Sequence, residues 1–294
     1  MLLIMEADSP IPAFSFFGPV PPARAVIFSV PHAGRHYPAE LLSAARVPRK
    51  ALERLEDRYA DALVSGLGDQ GWSGIVAEWA RAWVDLNRSE KDVDGGMVAG
   101  RPMQFFPQPS EKVRGGLGLF PRRLGQDGEL WRTRFDWLDL QARVEEVHRP
   151  YHRAIEALLD SAISHYGAAL LLDIHSMPSL SGHQPAQIVI GDRHGHSAPA
   201  WLSQLVFECC EAAGYRTALN RPYAGGYVAE RHAKPSHNRY ALQIEIDRAL
   251  YLDGEGQGIA EALHALRALL GQIAEYASDR LESGDAYPLP IAAE

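Results

Sequence analysis

Two cysteines in 294 residues, side by side at Cys209 and Cys210, are too few and too close for a disulfide framework. They fall in a stretch of helical periodicity without the spacing of a zinc knuckle, so a reducing compartment is expected. Positive charge is also short. Lys and Arg number 29 against 37 Asp and Glu, and the net charge of −8 argues against nucleic-acid binding driven by phosphate contacts, though not against a local basic pocket. No long apolar run is present. The opening Met1-Leu2-Leu3-Ile4-Met5 is far shorter than a membrane span, lacks a basic start and is followed at once by Glu6 and Asp8. Neither a signal peptide nor a membrane anchor is expected, and internal repeats are absent. These absences point to a soluble cytoplasmic protein with no nucleic-acid or membrane partner. Its 46% hydrophobic and 22% charged residues are ordinary for a chain with a sizeable core.

What is present is an alternation of short apolar runs with helical periodicities, which predicts an α/β fold: a single domain with a mostly parallel mixed sheet flanked by helices. The domain should span residues 24–280. A Pro-rich extension, 1–23, is expected to wrap the surface before it, and a Pro-containing tail, 281–294, to follow it. Strands are expected at 25–30, 75–78, 82–86, 168–172, 186–191, 215–219 and 240–248, and helices at 48–67, 136–166, 199–213 and 256–277. Pro150 should kink or split the second of these helices. The long Gly-, Pro- and Arg-rich segment 90–128 is expected to be an ordered cover, because Phe105, Phe106 and Phe120 give it something to pack with.

Chemistry concentrates at the strand ends. The central run ends in Asp173-Ile174-His175-Ser176, where His175 can offer a nitrogen to a metal and Asp173, on the same side of the strand, can orient its ring. The first strong strand is stopped by Pro31 and followed by His32, with Gly34 allowing a close turn. Glu56 and Asp57 fall inside the predicted 48–67 helix. Two imidazoles, His32 and His175, with one carboxylate of the Glu56/Asp57 pair make a donor set that leaves a fourth position for water, the usual plan of a catalytic zinc. Glu245 lies between Ile244 and Ile246 in the last strand. A lone carboxylate there needs a partner, such as a metal, a water or Arg248, and the role that fits is general base. Asn87 and Arg88 at a strand end offer an amide and a guanidinium fork for a substrate carboxylate. His148 and His152 have the spacing of a metal pair, but Pro150 between them and the lack of a nearby acid favour packing or substrate lining.

The chain resembles the N-formylglutamate amidohydrolase family. The matching segments include Ser29-Val-Pro-His-Ala-Gly-Arg-His-Tyr-Pro38, Glu56-Asp57-Arg-Tyr-Ala-Asp61, Val84-Asp-Leu-Asn-Arg-Ser89 and Gly116-Leu-Gly-Leu-Phe-Pro-Arg-Arg123. They continue through Arg149-Pro-Tyr-His152, Leu172-Asp-Ile-His-Ser-Met-Pro178, Ile190-Gly-Asp-Arg193, Asn220-Arg-Pro-Tyr-Ala-Gly-Gly-Tyr227 and Ala241-Leu-Gln-Ile-Glu-Ile-Asp-Arg-Ala-Leu-Tyr-Leu252. The resemblance implies a zinc-carboxypeptidase-like fold, shared with aspartoacylases. It also implies one zinc ion on His32 and His175, Glu245 as general base, and metal-assisted hydrolysis of N-formyl-L-glutamate to glutamate and formate, a reaction of the histidine-degradation type. Asp85-Leu-Asn87-Arg88 resembles the segment that grips a carboxylate in aspartoacylases. The relatives' His-x-x-Glu arrangement is not kept, since Arg35 stands where the acid would be. The acidic ligand is then assigned to Asp57, with Glu56 as the alternative. The implied substrate is a small dicarboxylate, so a second cation is needed beside Arg88. Arg122, Arg123 and Arg231 are unranked candidates for it, and Tyr227 joins the expected substrate contacts. Two rival readings are a deacylase for another N-acyl amino acid and a non-catalytic binding protein on the same fold.

Overall fold

The computed structural model of the chain describes residues 11–125 and 128–283. Seven strands form the main sheet: β1 (Phe14–Phe17), β2 (Val26–Val30), β3 (Ser73–Ala77), β4 (Ala169–Met177), β5 (Ile188–Gly191), β6 (Thr217–Leu219) and β7 (Arg239–Asp247). Their spatial order is β1-β3-β2-β4-β7-β5-β6. β3, β2, β4 and β7 are parallel, β1 is antiparallel on β3, and β5, parallel to β6, is antiparallel to β7. One face packs on helix α1 (Arg149–Tyr166). The other packs on α2 (Ala200–Ala212), α3 (Ala260–Ser283) and the short helix Ala60–Val64. With both faces covered, the central strands are apolar almost throughout. The single α/β domain with a mostly parallel mixed sheet is the one the sequence pattern predicts.

The two-residue period of a strand explains where the polar residues collect. On β4, Leu170, Leu172 and Ile174 join the core beneath α2 and α3, while Ala169 and Leu171 join the core beneath α1. Asp173 and His175 continue the second set. On β7, Leu242, Ile244 and Ile246 pack on the α2–α3 side, and Ala241 is followed on the other side by Gln243, Glu245 and Asp247. Each strand therefore has an apolar amino half and a polar carboxyl half on one face. The register places Glu245 directly beside His175.

Several local predictions are corrected. Residues 48–67 do not form one helix. Arg49–Leu52 is helical, Glu53–Leu55 is a 3-10 turn, and the chain then opens at Glu56 and passes through a left-handed Tyr59 (φ 55°) before Ala60–Val64. The apolar spacing was a sound guide to burial, since Leu52, Leu55, Leu63 and Leu67 are all in the core. The break arises because the Asp57 amide donates to the His32 carbonyl (3.0 Å) instead of to its own helix. Residues 82–86 are not a strand. The Asp85 amide bonds the Leu119 carbonyl, and the Leu86 carbonyl accepts from a His152 ring nitrogen. Phe14–Phe17, within the expected N-terminal extension, adds an edge strand to the sheet. Residues 1–10 and 284–294, which hold part of the extension and most of the tail, lie outside the described residues. Pro150 stands in the first turn of α1, and a π turn at Val144–His148 joins α1 to the preceding helix Trp137–Arg143. In the 90–128 cover Phe120 is buried and Phe106 meets Trp137 edge-on, whereas Phe105 faces solvent.

Candidate active site

The polar carboxyl end of β2, β4 and β7 opens into a cavity of ≈ 440 Å³, with His32, Asp57, His175 and Glu245 on its wall. His32 reaches it from the turn after β2. That turn passes so close to Trp79 that a Cβ at Gly34 would lie 2.1 Å from the Trp79 carbonyl oxygen, so only glycine fits. Asp57 reaches it from the break between short helices, tied to His32 through the backbone. His175 and Glu245 come from neighbouring strands.

The Nδ1 atoms of His32 and His175 lie 3.3 and 2.9 Å from one oxygen, Oδ2, of Asp57. The far nitrogens, Nε2, donate to buried aspartates: His32 to Asp85 and His175 to Asp173, both at 2.8 Å. A carboxylate can only accept, so each Nε2 carries a proton, and in its neutral form each ring turns an Nδ1 lone pair toward Asp57. Three acceptors then face one point, an arrangement that is repulsive until a cation or added protons lie between them. The three ligand atoms lie within 4.8 Å of one another, and all three residues are buried. A tetrahedral ion with bonds of about 2.0–2.1 Å would hold its ligands about 3.3 Å apart. The residues therefore fit one divalent metal, with the carboxylate–histidine backing that orients imidazole ligands. Where protons rather than an ion fill that point, burial alone would push the Asp57 carboxyl up, but hydrogen bonds from His175 and His32 hold it well below the usual carboxylate range; burial likewise opposes charge on His175, yet Asp173 and Asp57 raise its pKa well above the ordinary value.

Glu56, the other candidate acid, turns away. It accepts hydrogen bonds from the Tyr37 hydroxyl and from Arg58 (3.1 Å). Arg248 donates to Oδ1 of Asp57 (3.0 Å) and to Ser176, so it partners Asp57, whereas Glu245 accepts from the Gln243 amide (2.8 Å). Burial pushes the Glu245 carboxyl up to about 7. His175 pulls against this, and the negative charge of Asp57 adds to it.

Asn87 and Arg88 both line the cavity. The Asn87 side chain accepts from the Val228 amide (2.8 Å) and donates to Gln243 (3.3 Å). Gly226 sits so close that a Cβ there would fall 2.3 Å from the Asn87 amide group. Arg88 donates through Nε to the Leu117 carbonyl (2.8 Å) and through Nη1 to the Asn87 carbonyl (2.7 Å), leaving Nη2 without a protein partner among the described residues. Burial pulls its pKa below the ordinary value, and Asp85, its nearest counter-charge, is shared with Arg81.

His148 and His152 brace this segment from behind, donating to the Arg88 (2.9 Å) and Leu86 (3.0 Å) carbonyls, while the remaining His152 nitrogen meets His232 (2.9 Å). Burial lowers the pKa of all three rings, which suits neutral imidazoles holding a backbone rather than a second metal pair.

Three expected substrate contacts lie elsewhere. Arg122 is held by Asp94 and Glu129, Arg231 donates to the Tyr227 hydroxyl, and Tyr227 stacks on His148; none of the three lines the cavity. Arg123 is likewise near Glu129 (3.8 Å). Sequence reasoning missed Asp85 as the partner of His32. It also missed Arg81 and Lys112 as cations on the cavity wall. An Asp two residues before Asn87 carried a signal for the first. Nothing marked the other two.

A sequence profile described as N-formylglutamate amidohydrolase matches residues 24–252, most of the chain. The chain belongs to this family. It is 28% identical over 233 residues to an N-formylglutamate deformylase of Pseudomonas putida, covering 78% of this chain and 82% of the relative. To the N-formylglutamate deformylase of Pseudomonas aeruginosa it is 27% identical over 260 residues, covering 85% and 91%. The crystal structure of an N-formylglutamate amidohydrolase from Ralstonia eutropha superposes with a TM-score of 0.83 at 30% identity, covering 91% of this chain and 99% of that one. A gene product of Agrobacterium tumefaciens shares the fold at 17% identity, with a TM-score of 0.60. The residues at the cavity thus sit within the part of the chain that family membership covers, and all the segments that carry the resemblance fall inside it.

Proposed function

We propose that this amidohydrolase-family member hydrolyses N-formyl-L-glutamate to formate and L-glutamate, with one divalent cation held by His32, Asp57 and His175. The observation that carries the reading is the convergence of those three ligand atoms in a cavity that also presents Glu245. Two imidazole nitrogens and a carboxylate oxygen suit zinc. When bound there, zinc supplies Lewis acidity, polarising a carbonyl oxygen and lowering the pKa of water.

The chain's own residues do the rest. Arg88, with Nη2 unengaged, receives the α-carboxylate beside the scissile amide. Asn87, fixed by Val228, Gln243 and Gly226, holds the wall against which the substrate is oriented. Glu245 takes a proton from the attacking water as its oxygen bonds to the formyl carbon. As the C–N bond breaks, Glu245 returns that proton to the leaving nitrogen, so the amine of glutamate is formed and formic acid departs, giving up its remaining proton to become formate. A carboxyl raised by burial toward neutrality is suited to both transfers. The two free, buried thiols at Cys209 and Cys210 agree with a reducing, cytoplasmic setting for this reaction.

The test is product analysis of metal-loaded protein with N-formyl-, N-acetyl- and N-succinyl-L-glutamate. Formate release from the first, with kcat/KM well above the other two, is expected. Preference for another acyl group would make the chain a different deacylase, and no turnover of any would remove the catalytic reading.

A further inference from the structure

The proposed substrate carries two carboxylates, and the cavity wall carries four cationic side chains: Arg81, Arg88, Lys112 and Arg248. Two of these are committed to protein carboxylates. Arg81 is bound to Asp85 (2.8 Å) and Arg248 to Asp57 (3.0 Å). Arg88 binds only neutral carbonyls at close range and keeps free donors. Lys112 makes no side-chain hydrogen bond or ion pair with any described residue.

Lys112 is held on the same wall as Arg88 by one short backbone relay. Its carbonyl accepts from the Leu117 amide (2.9 Å), and the Leu117 carbonyl accepts from Arg88 Nε (2.8 Å). The turn Glu111–Arg114 that carries it is pinned by buried Val113 and capped by the Ser110 hydroxyl, so the backbone at Lys112 is fixed while its ammonium stays exposed at the rim. Arg88 is mostly buried and lines the same cavity as Asn87, Gln243 and Glu245. The α-carboxylate, adjacent to the scissile nitrogen, is matched to this buried cation, and the side chain then extends toward the exposed one. We infer that Lys112 reads the side-chain carboxylate of the N-formyl amino acid and sets the preference for glutamate over its neutral isosteres. The inference rests on the proposed formylglutamate hydrolysis and names the second cation that a dianionic substrate requires.

The test compares kcat/KM for N-formyl-L-glutamate and N-formyl-L-glutamine in the metal-loaded wild type, Lys112→Met and Lys112→Arg. The wild type should prefer glutamate. In Lys112→Met that preference should fall by about tenfold or more, chiefly through a higher KM for formylglutamate, since a charge-assisted contact is lost at the rim. Lys112→Arg keeps the charge and should retain most of the preference. Rising salt should erode the wild-type preference, because the contact is exposed. A wild-type glutamate-to-glutamine ratio in Lys112→Met would overturn the role of Lys112 and leave the proposed reaction standing. Wild-type protein that releases formate from neither compound would overturn the parent reading, and the role of Lys112 with it.

Discussion

Asp85→Asn removes one charge from the site without changing its shape, and the hydrogen bonds around Asp85 fix what should follow. Oδ1 accepts from His32 Nε2 and from the Asn87 amide, both at 2.8 Å, and Oδ2 accepts from Arg81 Nε at 2.8 Å. Asparagine has two ways to fill this space. With its oxygen toward His32, its amide nitrogen confronts Arg81, donor against donor, and the guanidinium keeps only the Leu55 carbonyl at 3.5 Å. With the amide nitrogen toward His32, the ring must move its proton to Nδ1 to accept there, and the proton then stands where a metal ligand is needed. The first arrangement strands a mostly buried cation, which costs up to about 3–5 kcal/mol when a buried pair loses one partner. The second disables a ligand. Loss of such backing contacts typically lowers metal affinity about 10–100-fold, or about 1.4–2.8 kcal/mol. Competition for zinc against a chromophoric chelator should read that loss, and a melt followed by circular dichroism should show a Tm lowered by on the order of 10 °C. A variant that holds zinc as tightly as the wild type and melts at the same temperature would refute the assignment of Asp85 as the group that orients His32 and neutralises Arg81.

Two other changes address the remaining parts of the site. His175→Ala removes a ligand and should lose most of the metal, read by elemental analysis; stoichiometric metal in the variant would take His175 out of the site. Arg88→Ala should lower kcat/KM for N-formyl-L-glutamate several tens-fold or more, in line with the ~2–5 kcal/mol typical of truncating a buried charged contact, with metal content unchanged. Arg88→Lys should recover only part of this, because Nε and Nη1 also hold the Leu117 and Asn87 carbonyls and an ammonium cannot replace that fork; wild-type kinetics in the lysine variant would count against the role.

The sheet was legible because its central strands are apolar on both faces and end in polar residues of one parity, as at Leu171, Asp173 and His175. His32 and His175 could be singled out for the same reason, since each follows a buried run. Asp57 stood out only as an acid inside a helical periodicity. The break that frees it depends on a long-range bond from its amide to the His32 carbonyl, and no local pattern records that. The strand expected at 82–86 failed similarly, because the backbone there is satisfied by Leu119 and by His152, far along the chain. Arg122, Arg123 and Arg231 looked suitable for a carboxylate, and nothing in the sequence marked Lys112. Which cations remain uncommitted is decided by Asp94, Glu129 and Tyr227, whose positions only the folded chain supplies.

The central claim is that Glu245 moves the proton in a hydrolysis whose metal is held by other residues. Glu245→Gln tests it most directly. The Gln243 amide donates to Oε1 of Glu245, and glutamine retains that oxygen and the volume while losing the proton acceptor. Metal content by elemental analysis and formate release from N-formyl-L-glutamate should be measured on the same sample. One metal per chain with kcat lowered by about 10²–10⁴-fold is the expected pair of results. Loss of the metal would make Glu245 a ligand, and turnover near that of the wild type would contradict the mechanism at its centre.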